Sequence, residues 1–88
     1  MLIALDGRGV QLTSADFAKR LDAWRQSSTD LAFVIGGSDG LHESVVKKAS
    51  FVLSLGAMTW PHLLARGMLL EQIYRAQQIL AGHPYHRE

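Results

Sequence analysis

The sequence predicts an α/β fold, a three-stranded parallel sheet with helices packed against it, and three observations carry that prediction. Short apolar runs alternate with helix-patterned segments three times over. Each run gives way to a glycine-bearing turn, and after each turn the sequence offers a helix start. Strand followed by helix, repeated, builds a parallel sheet through right-handed crossovers. Eighty-eight residues leave room for one such unit, so residues 1–88 are read as a single domain.

Residues 2–5 form the first apolar run, and Asp6-Gly7-Arg8-Gly9 supplies the turn that ends it. Thr13-Ser14-Ala15-Asp16 offers a hydroxyl cap with an acid three residues on, after which Phe17, Leu21 and Trp24 recur at helical spacing. The second run, residues 31–35, has the β-branched and aromatic character of a strand and stops at Gly36-Gly37-Ser38-Asp39-Gly40. A short helix over about 42–49 follows. Residues 51–55 are the third run, closed by Gly56-Ala57-Met58-Thr59-Trp60-Pro61, where Thr59 is the expected cap and Pro61 fits only a first helical turn. The last helix extends to about residue 81, stopped by Gly82 and Pro84.

That last helix has two apolar stripes, one of Leu63, Gly67, Leu70 and Tyr74, the other of Leu69, Ile73, Ala76 and Leu80. One sheet face needs a single stripe. The second belongs either to another helix of the same chain or to a second subunit, and a chain with so few helices, given the frequency of two-fold oligomers, points to a homodimer.

Composition narrows the function. Nine Lys and Arg against eight Asp and Glu leave a net charge of +1, which excludes nucleic-acid binding by bulk electrostatics; any RNA contact is local. No cysteine is present, so disulfides, thiolate nucleophiles and cysteine zinc sites are excluded. His83 and His86 invite a metal reading, but no His-x-x-x-His pair accompanies them, and none is expected. No G-x-S-x-G elbow, G-x-G-x-x-G fingerprint or phosphate-binding loop occurs. No run approaches the ~20 apolar residues of a membrane span and the start lacks the pattern of a signal peptide, so a cytoplasmic protein without membrane contact is expected.

In an open parallel sheet, ligands bind beyond the carboxyl ends of the strands. The three glycine-bearing turns share that edge, and glycine lets backbone approach a flat ligand closely. They form either a nucleoside-sized pocket or merely tight turns. The terminal Gly82-His83-Pro84-Tyr85-His86-Arg87-Glu88 gathers two imidazoles, a phenol and a guanidinium, groups that stack on bases and meet phosphates, though a polar tail without a role would read the same way.

Four motifs in order resemble the RlmH-type methyltransferases of the SPOUT class: Phe33-Val34-Ile35-Gly36-Gly37-Ser38-Asp39-Gly40-Leu41-His42, Leu53-Ser54-Leu55-Gly56-Ala57-Met58-Thr59-Trp60-Pro61-His62, Glu71-Gln72-Ile73-Tyr74-Arg75-Ala76 and His83-Pro84-Tyr85-His86-Arg87-Glu88. The resemblance covers essentially the whole chain, including Leu5-Asp6-Gly7-Arg8-Gly9. It implies a SPOUT-like α/β trefoil knot that binds S-adenosylmethionine, and a homodimer that methylates N3 of a pseudouridine in the large-subunit RNA of the assembled ribosome. It implies that Leu5, Gly36, Leu55, Gly56, Ala57, Met58, Thr59 and Trp60 hold the cofactor, and that His83, Tyr85, His86 and Arg87 face RNA, one subunit's tail serving the other's cofactor. His86 is then the candidate base and Arg87 its electrostatic support, with His62 and Arg66 as further substrate contacts. The family also has an N-terminal half, so this chain corresponds to its C-terminal portion. The rival expectations are a cofactor-binding module without catalysis and a purely structural fragment.

Overall fold

The computed structural model of the chain describes residues 1–28, 30–36, 40–56 and 58–86. In order they form β1 (Leu2–Gln11), α1 (Ser14–Ser27), β2 (Ala32–Ile35), α2 (Glu43–Lys48), β3 (Phe51–Ser54) and α3 (His62–Leu80). The three strands make one parallel sheet in the order β2-β1-β3, with Leu5 opposite Ile35 on one side and Leu53 on the other. The expected three strand-helix repeats are present.

A central strand covered on both faces reads as a continuous apolar run, because successive side chains point to opposite faces. Ile3, Ala4 and Leu5 are all buried accordingly. The same spacing logic places Phe17, Ala18, Leu21 and Trp24 on one side of α1, where they join Leu53, Leu69 and Ala76 in the core. Trp24 sits edge-on to Phe17 at 6.3 Å and tilted over Phe51 at 5.2 Å. Each such fully buried side chain is worth about 1.5–3 kcal/mol in removed apolar surface.

Two expectations are corrected. The first strand does not stop at Leu5: β1 passes through Asp6-Gly7-Arg8-Gly9 as a register break and rejoins β3, with Val10 opposite Leu53 and Gln11 opposite Ser54. Five extra residues are absorbed there, Leu5 and Val10 both standing opposite Leu53, because the Asp6 carboxylate accepts the Arg8 N–H at 2.9 Å, folding the segment locally without ending the strand. Gly9 lets the two strands close up again, since a Cβ there would lie 2.5 Å from the Val52 carbonyl oxygen. The second correction is at α3, where Pro61 and not Thr59 is the N-cap residue and no side chain caps the helix. An extended Pro61 (φ −55°, ψ 143°) has no N–H to satisfy, so the helix starts one residue later, at His62.

Other signals act as expected. Thr13 Oγ1 accepts the Asp16 N–H at 3.0 Å and starts α1. Past Ala81, Gly82 turns left-handed (φ 72°) and donates to the Ile79 carbonyl at 3.0 Å, while His83 N–H donates to Gln78 O at 2.8 Å. This paired closure ends α3 and directs the tail back along the helix.

The two stripes of α3 part company. Leu69, Ile73 and Ala76 pack into or against the core, with α1 as the neighbouring helix. Leu63, Leu70 and Tyr74 remain exposed, Leu63 at 77%, and a Cβ built on Gly67 between them meets nothing within 4 Å.

Candidate functional site

Strand β2 lies on one side of β1 and β3 on the other, so the chain reverses its direction of travel across the sheet at β1. Connections diverge at such a point and leave a crevice beyond the carboxyl ends of the strands. A cavity of about 360 Å³ opens there, in the size range of small-molecule sites. Leu5 forms its floor at the end of the regular part of β1, Ile35 and Gly36 come from the end of β2, and Leu55 and Gly56 from the end of β3. Met58, Thr59 and Trp60, before α3, complete the lining. Every residue that the resemblance assigns to the cofactor is therefore in this one cavity, except Ala57, which lies outside the described residues.

Gly36 is at the tightest point. A Cβ there would fall 2.6 Å from the carbonyl carbon of Gly40 and 2.7 Å from the Leu41 nitrogen, so strand end and returning loop touch backbone to backbone. Gly40 itself is left-handed (φ 79°), a conformation that costs glycine nothing.

Asp6 and Arg8, which also line the cavity, have no role in the sequence reading. Arg8 Nε donates to Asp6 Oδ1 at 2.8 Å and Nη2 to Oδ2 at 3.0 Å, a two-pronged ion pair in which the carboxylate is buried and the guanidinium exposed. Asp6 Oδ2 also accepts the Leu41 N–H at 3.5 Å, and Arg8 Nη2 donates to Leu41 O at 3.4 Å. The pair thus clasps the β1 break to the loop returning from β2. The hydrogen bonds from the Arg8 side chain, then from its backbone N–H, hold the Asp6 carboxyl far below the usual carboxylate range, outweighing burial. The same contact raises the Arg8 guanidinium further. The signal for the clasp was an acid and an arginine two residues apart in a glycine turn.

The sign of its pH dependence follows. A carboxyl whose folded pKa lies below its unfolded value of about 3.9 stabilises the fold above that value and ceases to do so as pH falls through the folded pKa. The urea midpoint of the wild type should therefore exceed that of Asp6→Asn at pH 7, with the gap closing from about pH 4 downward. A gap of equal size at pH 7 and pH 2.5 would show that the charge of Asp6 contributes nothing.

At the start of α3, His62 Nδ1 lies 3.3 Å from the Gly36 carbonyl oxygen, tying the helix to the end of β2. The tail packs back along the middle of the helix. Tyr85 stacks edge-on to Tyr74 at 4.9 Å, lies under the Arg75 guanidinium at 4.9 Å, and donates its hydroxyl to Glu71 Oε2 at 3.1 Å. Arg75 Nε donates to Glu71 Oε1 at 2.7 Å and its Nη1 meets His86 Nδ1 at 3.1 Å. The Glu71 carboxylate, as hydrogen-bond acceptor and as a nearby charge, raises the Tyr85 phenol above its ordinary pKa. Glu71 and Arg75, an i, i+4 pair, hold the tail. His83 is exposed, and Arg87 lies outside the described residues.

Among the described residues no three His, Asp or Glu side chains gather as a metal site, and no helix is long and apolar enough to cross a membrane.

Comparison with known proteins agrees with this geometry. The family model described as "Predicted SPOUT methyltransferase" matches residues 1–86. Similar curated proteins include those named Ribosomal RNA large subunit methyltransferase H from Rhodospirillum centenum (66% identical over 88 residues), Acidiphilium cryptum (59% over 87) and Paracoccus denitrificans (54% over 87). Each alignment covers 99% of this chain but 58%, 55% and 56% of the relative, so the chain spans little more than half the length of these proteins. With residues 1–86 matched by the family model, and with the glycine-bearing strand ends converging on one cavity, the chain belongs to the SPOUT methyltransferase family.

Proposed function

We propose that residues 1–88 are the single cofactor-binding and RNA-facing domain of an S-adenosylmethionine-dependent methyltransferase that modifies N3 of a pseudouridine in large-subunit ribosomal RNA. The observation that carries this reading is the cavity itself: three strand ends meet around a space of about 360 Å³ with an apolar floor and glycine backbone at its narrowest point. Those residues fit the cofactor. Leu5, Ile35 and Leu55 suit the faces of an adenine, and Gly36 and Gly56, without side chains, let its edge come close to backbone. When bound, S-adenosylmethionine supplies an electrophilic methyl group, whose C–S bond electrons stay on sulfur as N3 bonds to carbon. The protein's share is to hold the base in line, exclude water and remove the N3 proton.

A homodimer completes the site in this reading. His62 and Arg75 are thirteen residues apart on α3, about 20 Å at 1.5 Å per residue, so the tail held by Arg75 is remote from the cavity of its own chain. A two-fold axis through the exposed stripe of α3 brings the partner's tail to it instead, with His83, Tyr85, His86 and Arg87 meeting RNA. The convergence of the segments after β2 and β3, tied by the His62–Gly36 contact, supports the knotted connection that goes with the family. A ribosomal substrate places the protein in the cytoplasm, and no membrane or metal enters the mechanism.

The direct test is calorimetric titration of S-adenosylmethionine into the chain, with mass measured by light scattering on the same sample. Saturable binding by a defined dimer is expected. Folded protein that takes up no cofactor would overturn the reading.

A further inference from the structure

We propose that His62, and not the tail residue His86, accepts the N3 proton; this rests on the reading that the cavity holds the methyl donor and that the tail meets RNA. The two imidazoles are hydrogen-bonded in opposite senses. A carbonyl oxygen only accepts, so the 3.3 Å contact of His62 Nδ1 with Gly36 O requires the proton on Nδ1, and the lone pair of the neutral ring is then on Nε2. A guanidinium only donates, so in the 3.1 Å contact with Arg75 Nη1 it is His86 Nδ1 that provides the lone pair. The neutral His86 ring then carries its proton on Nε2. A proton added at Nδ1 would have to displace the Arg75 guanidinium. His42 follows the same pattern as His86, its Nδ1 accepting the Ser44 N–H at 3.2 Å.

Position agrees with tautomer. His62 lies two residues after Trp60 and bonds to Gly36, both of which line the cavity, and its side chain is exposed. Arg66 lies one turn on in α3, and among the described residues that line the cavity the charged ones are the mutually paired Asp6 and Arg8. Asp6 is committed to Arg8 and Leu41 and strongly favours its anionic, hydrogen-bonded state. In the step, the N3–H bond breaks with its electron pair left on nitrogen, the Nε2–H bond forms, and that nitrogen pair becomes the nucleophile. The imidazolium returns its proton to solvent after transfer.

Long-range ¹H–¹⁵N correlation spectra of the chain, without cofactor or RNA, read the tautomers directly. His62 is expected with its proton on Nδ1 and His86 with its proton on Nε2; a neutral His62 protonated on Nε2 would overturn the proposal. In single-turnover methyl transfer to large ribosomal subunits at saturating cofactor, His62→Gln should slow the reaction about 10²–10⁴-fold and remove the acidic limb of the pH–rate profile. His86→Gln should raise the subunit concentration for half-saturation and keep that limb. Loss of the limb in His86→Gln with its retention in His62→Gln would also overturn the assignment. Failure of the cofactor reading shows separately, as wild-type protein that binds no S-adenosylmethionine while its histidine tautomers stand as described.

Discussion

Replacing Gly36 by alanine should cost the chain its cofactor affinity, by about 10²-fold or more, and a substantial part of its stability. The added Cβ runs into the Gly40–Leu41 peptide unit, at 2.6, 2.7 and 2.9 Å from Gly40 C, Leu41 N and Gly40 O. No rotamer relieves such a contact, so the loop at 40–41 has to move. That movement strains the Asp6–Leu41 and Arg8–Leu41 hydrogen bonds, both long already at 3.5 and 3.4 Å, and displaces one wall of the cavity. Overpacking of this kind costs about 1–3 kcal/mol. Lost entirely from binding, about 2.7 kcal/mol is a 100-fold weaker complex. Calorimetry with S-adenosylmethionine and a thermal melt on the same sample measure both effects. An alanine variant with wild-type affinity and wild-type melting temperature would show that the close approach of these two segments has no part in the site.

The second large effect is on assembly. The double variant Leu63→Glu/Leu70→Glu should convert a dimer to a monomer at concentrations where the wild type is wholly dimeric. Both side chains are exposed in the isolated chain, at 77% and 56%, so the substitutions disturb no internal packing. Across a two-fold interface each substitution acts twice. Burying a leucine is worth about 1.5–3 kcal/mol, and four carboxylates brought together apart from water add desolvation and repulsion. The dissociation constant should therefore rise by well over 10³-fold. Sedimentation or light scattering across a dilution series decides it, with circular dichroism to show that the helices persist. A variant that still sediments as the wild-type dimer would place the interface elsewhere and remove the reason for one subunit's tail to serve the other's cavity.

Much of this molecule was legible from residues alone because its elements are defined locally. An apolar run closed by glycine, a hydroxyl with an acid three residues on, and a Gly-x-Pro stop each act over less than two turns of chain. β2, β3, α1 and the end of α3 accordingly came out within a residue or so of expectation. The residues that the resemblance assigns to a cofactor line one cavity for a related reason. In a parallel sheet every strand points the same way, so all strand ends share one edge whatever the strand order.

Where expectation failed, a non-local contact or a competing local one decided. Asp6-Gly7-Arg8-Gly9 has the composition of a strand-ending turn. It became a register break inside β1 because Gly9 has backbone of β3 beside it to rejoin. Thr59 had the chemistry of a cap, yet the conformation of Pro61 set the start of α3. Glu71 and Arg75 meet Tyr85 and His86 because the left-handed Gly82 turns the tail back along the helix. The tautomers of His62 and His86 were likewise beyond any pattern of spacing. A histidine's available nitrogen depends on what its other nitrogen bonds to, and here those partners, Gly36 and Arg75, are brought up by the fold. Sequence by itself determined which elements form and which edge of the sheet carries a site. Only the tertiary structure decided which charges clasp that site, which stripe of α3 stays uncovered and which imidazole has its lone pair on Nε2, because each depends on groups distant in the chain meeting at hydrogen-bond range.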